Sequence, residues 1–128
     1  MHPPLDPLAL EHFNAGRYRD ALLAFEGQWH SHRSELLKAL INLSNAMLQL
    51  QLGLVTGPRR NLARAVDMLT TCSPAVAAAA GVDLPRLHAA IARVQACIPP
   101  DAVSGEDQLD PARIPPIQIR TGNDDHTG

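Results

Sequence analysis

Aromatic side chains are nearly absent from this chain: one Trp, one Tyr and two Phe among 128 residues. A core built on ring packing is therefore excluded, and Leu, Ala, Val and Ile must fill it. Apolar residues reach 45%, enough for the single core that a chain of this length can carry. Ala and Leu dominate and β-branched residues are few, which favours helix over sheet. An excess of basic charge is also missing: 11 Lys and Arg face 13 Asp and Glu, for a formal net charge of -2. A general nucleic-acid binder is normally clearly basic, so that class is disfavoured. The two cysteines, Cys72 and Cys97, lack CxxC spacing. Buried free thiols near helix ends are expected of them, since a disulfide needs an oxidising compartment. The opening residues MHPPLDP hold no basic stretch followed by an apolar run, so no leader is read there and a cytoplasmic location is expected.

The familiar catalytic motifs are missing as well. There is no HExxH, no G-x-S-x-G and no phosphate-binding loop. Gly53 to Gly57 is too short for a phosphate loop and lacks its lysine and hydroxyl residue. Ser34, Ser44, Ser73 and Ser104 have no histidine and carboxylate in helical register. No catalytic residue, metal ligand set or cofactor is assigned.

What is present is helical periodicity. Asp6-Pro7 reads as an N-cap followed by proline at the first helical position, opening a helix to about Asn14. Gly16 resets the chain as a left-handed cap. A second helix covers about Arg17 to Gln28, where Tyr18, Leu22, Phe25 and Trp29 form one stripe. His30 to Arg33 is a polar connection, and Ser34 caps a third helix that Gly53 ends. A fourth spans about Pro58 to Thr71, and Val76 to Ala80 has room for one more turn. Asp83 caps a last helix, with Leu84, Leu87, Ile91 and Val94 on its inner face, and Pro99-Pro100 stops it. The third helix, Glu35 to Leu52, is apolar around more than half its circumference, so others must surround it. The fold class is all-α: a compact bundle of about five helices. The bundle domain covers residues 1–100, followed by a Pro, Gly and Asp-rich tail over 101–128. Within that tail, Ile114, Ile117 and Ile119 allow residues 114–119 to lie extended across the bundle. The chain is too often interrupted by Lys38, Asn42, Asn45, Gln49 and Gln51 for its central helix to cross a membrane.

Lys38, Asn42, Asn45 and Gln49 recur at i, i+4, i+7 and i+11, so they stack in one narrow polar stripe on the central helix. Amides donate and accept hydrogen bonds but do not titrate near neutral pH, so none of them is a general base. They can fix register between helices, line a subunit interface or hold a small polar ligand. Glu26 and Trp29, one turn apart on the second helix, complete a candidate ligand pocket between helices two and three, with Lys38 as counter-charge to Glu26. Arg59, Arg60 and Arg64 form the one basic cluster at the start of the fourth helix, a candidate anion site or a solvated face. His30 and His32, with Glu26 one turn upstream, fall at a helix end with no further strong ligand near in sequence, and read as exposed polar residues rather than a metal centre.

Phe13, Asn14, Gly16, Tyr18, Ala21, Glu26 and Trp29 carry a resemblance. The stretch FNAGRYRDALLAFEGQW resembles the opening of a small bacterial family, domain of unknown function 309. That family opens with Phe-Asn-x-Gly-x-Tyr and continues to a Glu-x-x-Trp pair. Leu37, Leu40, Ile41, the stretch GLVTGPRRNLARAVDML and the Gly81-Val82-Asp83-Leu84 element are similar to its later segments. The family often ends in a Pro-Pro-x-Ile-like extended segment, and IPPIQI is similar to it. The resemblance covers nearly the whole bundle. It implies an all-helical domain of about five helices and no defined activity. The departures fall at polar positions. The family's His-Glu pair corresponds to Leu22 and Leu23, its glutamines to Lys38 and Asn42, its glycine there to Ala39, and a later polar position, often histidine, to Gln49. Gly16, Tyr18, Ala21 and Phe25 also fit half of a tetratricopeptide repeat, but no 34-residue period is sustained.

The function expected from these residues is a non-catalytic domain that binds another protein or itself, with a homodimer as its natural use. The alternative is a small-ligand-binding or hydrolase-like enzyme with a polar pocket between helices two and three. No membrane or nucleic-acid partner is expected.

Overall fold

The computed structural model describes residues 5–104 and 109–119. Six α-helices follow one another: α1 (Pro7–Asn14), α2 (Tyr18–Ser31), α3 (Glu35–Gln51), α4 (Thr56–Thr71), α5 (Pro74–Ala80) and α6 (Leu84–Ala96), with a short 3-10 turn at Pro111–Arg113. No strand is assigned among the described residues. The architecture is an all-helical bundle centred on α3, which packs most extensively on α4 and α2, while α1 lies on α2 and α6 on α4. Leu36, Leu37, Leu40, Leu43, Met47 and Leu50 of α3 are all buried, so its apolar circumference is covered from several sides.

Local chemistry sets most boundaries. Asp6, Ser34, Ser73 and Asp83 each cap a helix, their side-chain oxygens accepting a first-turn amide. Proline stands in the first turn of α1, α5 and α6, where its missing amide costs nothing. Gly16 and Gly53 turn the chain with φ near +80°, a region that side chains with a Cβ avoid.

Three boundaries differ from the periodicity reading. The second helix runs through His30 and Ser31, because half-buried Trp29 packs against the core and holds the last turn in register. The fourth begins at Thr56 rather than Pro58. The Pro74 region is a helix of its own, capped by Ser73 and closed by left-handed Gly81, where the sequence reading left room for a single turn.

The chain after α6 returns across the bundle. Residues 105–108 and 120–128 of the expected tail lie outside the description. Ile117 and Ile119, at 1% and 2% exposure, are core residues. No single helix among the described residues is long and apolar enough to cross a membrane. The α5–α6 pair reaches the length only with a 93° bend.

Candidate functional site

Among the described residues the pocket candidates take part in separate contacts. Glu26 is exposed on α2, and Lys38 is exposed on α3. Among the described residues the one ion pair is Arg113–Asp110, on the surface, so Lys38 is not the counter-charge of Glu26. Instead the Lys38 ammonium lies 5.8 Å from the centre of the Trp29 ring, and the Arg33 guanidinium lies 5.9 Å from it. The indole therefore faces two cations, an arrangement its π-electrons favour.

The amides turn toward α4 rather than α2. Asn42 Nδ2 donates to the Lys38 carbonyl at 3.0 Å and lies 3.4 Å from Met68 Sδ. Gln49 Oε1 accepts from Nδ2 of buried Asn61 at 3.0 Å. Asn45 is half-buried between them. Gly57 makes room for Gln49: a Cβ built there would stand 2.8 Å from its Nε2. These contacts lock the register of α3 on α4.

The basic trio separates as well. Arg59 Nη2 donates to the carbonyls of Pro99 and Ala102, tying the start of α4 to the segment after α6. Its Nε is buried without a partner. Arg60 and Arg64 are exposed. Arg59 thus serves the fold, and the remaining two arginines stand on a solvated face.

Two contacts went unread in the sequence. Asn14 clamps the C-terminal segment: its Oδ1 accepts from the Ile119 amide at 2.7 Å and its Nδ2 donates to the Ile119 carbonyl at 3.0 Å. Gln118 Nε2 adds a bond to the Asn14 carbonyl at 2.9 Å. The neighbouring motif residues serve the same end. Phe13 and Tyr18 pack edge to face at 5.1 Å, and the Tyr18 hydroxyl meets the Ile117 backbone. Ser104 is the second case. Its Oγ accepts from the amides of Val55 and Thr56, both at 2.9 Å, and so caps α4, which has no cap of its own. The signal in the sequence was the asparagine of FNAGRY and the absence of a capping side chain at Val55.

Cavities accompany this scaffold among the described residues. One, of about 210 Å³, lies under the C-terminal segment between Tyr18, Met47, Leu50 and Ile114. Another, of about 320 Å³, opens at the α2–α3 corner beside His32 and Arg33. None of the six pocket candidates lines either.

The perturbed titratable groups are not at a reactive centre. Burial pushes the Tyr18 phenol up, against a smaller opposite effect from the Ile117 backbone. Burial also pushes the Cys72 thiol up, and the charge of Glu35 adds to it. A raised thiol pKa makes Cys72 a poor nucleophile at neutral pH. Both cysteines are free; Cys72 is buried as expected, whereas Cys97 is half-buried. Among the described residues no group of three or more His, Cys, Asp and Glu is placed to hold a metal ion.

The arrangement defines a small six-helix bundle closed by a C-terminal strap. Compared with known proteins, the chain matches no family model, no curated protein and no solved structure.

Proposed function

We propose that this chain is a divergent relative of the bacterial helical family it resembles, and that it works as a non-catalytic domain that associates with a second copy of itself. The family reading draws support from Phe13, Asn14 and Tyr18, which together hold the IPPIQI segment. The association reading rests on one observation, three exposed apolar side chains at the α3–α4 turn and in the segment bonded to it. Leu52, Leu54 and Val103 are 69%, 38% and 46% exposed. Ser104 bonds to Val55 and Thr56, which ties the segment holding Val103 to the turn before α4. From Leu52 to Pro58 no residue is charged. A two-fold contact sets a patch against its own copy, so a charged patch repels itself and an uncharged apolar one does not.

The test is sedimentation of the full chain over a wide concentration range, beside Leu52→Asp/Leu54→Asp. The wild type is expected to shift from monomer toward dimer as concentration rises, and the variant to remain monomeric with unchanged helix content. A wild type that stays monomeric throughout, or a variant that dimerises equally well, overturns the reading.

A further inference from the structure

The cleft at the α2–α3 corner has the chemistry of a ligand site, and it is separate from the association surface. Its volume of about 320 Å³ falls at the lower end of the range for small-molecule pockets. Its lining divides by chemistry: Gln28, Ser31, His32, Arg33 and Ser34 are polar, and Leu5, Leu36, Val76 and Ala80 are aliphatic. No lining residue is acidic, and Arg33 is the one Lys or Arg among them. Arg33 is not a freely waving cation either, since its guanidinium rests against the Trp29 ring. The first turn of α3 opens on the same corner. There Ser34 Oγ takes the Leu37 amide at 3.1 Å, and the earlier amides have no helix carbonyl to bond.

From this division we infer that the cleft binds a small anion carrying a short aliphatic chain, a monocarboxylate in the simplest case. The carboxylate would lie at Arg33 and the Ser31–Ser34 segment, and the chain between Leu5, Leu36, Val76 and Ala80. A bare anion leaves the aliphatic lining uncovered, and a divalent cation finds no carboxylate.

The chain holds one tryptophan, and it stands against Arg33, so its fluorescence reports on the site. The full chain is titrated with octanoate, with acetate and octylamine as controls, by Trp29 fluorescence and by calorimetry. Octanoate is expected to saturate at one per chain, and neither control to saturate. Arg33→Gln, at an exposed position, is expected to weaken octanoate about tenfold, the loss of one charge-assisted contact. Ala80→Leu, which fills the aliphatic side, is expected to weaken it as well. Circular dichroism checks that both variants fold. Absence of saturable octanoate binding overturns the inference. So does binding matched by octylamine, or binding unaffected by Arg33→Gln.

Discussion

Asn14 joins distant parts of the chain. Its amide bonds Ile119 in both directions, across 105 positions of sequence. Net hydrogen bonds contribute about 1 kcal/mol each. Asn14→Ala is therefore expected to cost about 2 kcal/mol in urea unfolding. Asn14→Asp should cost about as much, because it keeps the acceptor but sets a carboxylate against the Ile119 carbonyl. A loss of a few tenths in both variants would show that the strap is held by Ile117 and Ile119 alone. Asn14 was visible in the sequence only as part of a motif. Its role was not, because an asparagine at a helix end ordinarily bonds its own backbone.

Among the elements, α4 shows how far a cap can come from. Val55 has no side-chain oxygen to offer, yet its amide and that of Thr56 are both satisfied by Ser104. Ser104→Ala is expected to lower stability by about 1–2 kcal/mol, the usual range for losing an N-cap. The loss should appear as faster amide exchange at Val55 and Thr56. Exchange that stays unchanged there would assign the capping to other groups. Element by element, the caps at Asp6, Ser34 and Asp83 were legible, as was the left-handed turn at Gly16, because each depends on residues within one turn. The extra helix at Pro74–Ala80 was only half legible, since a run of alanines has no apolar face to read. Two amides of the polar stripe of α3, Asn42 and Gln49, meet side chains of α4. That partner was not legible: periodicity gives the face of a helix but not which neighbour covers it.

Taken whole, the molecule buries two weak acids, and this gives its stability a dependence on alkaline pH. Folding raises the Tyr18 phenol and the Cys72 thiol above their ordinary values of 10.0 and 9.0. Well below pH 9 both are protonated, folded or unfolded, and their contribution is at its full value. As pH rises, the unfolded chain releases these protons first, while the folded chain still holds them. Stability therefore falls through that window and beyond it until the folded groups ionise too. The urea midpoint is expected to decline between about pH 9 and 11. Tyr18→Phe together with Cys72→Ala should flatten that decline, whatever they do to stability at neutral pH. An unaltered slope in the double variant would place the titration elsewhere.

The sequence by itself determined the helical class, the central place of α3 and the caps that start most of the helices. These follow from composition, from the spacing of apolar residues and from hydrogen bonds made within a single turn. Only the tertiary structure decided that Glu26 and Lys38 form no ion pair, that Arg59 holds the segment after α6, and that Asn14 and Ser104 hold distant backbone. It also decided where the cleft lies. The physical reason is range. A helix is specified by neighbours three or four residues away. A cavity is the space left when separate helices meet, and a bond between Asn14 and Ile119 exists only once the chain has returned.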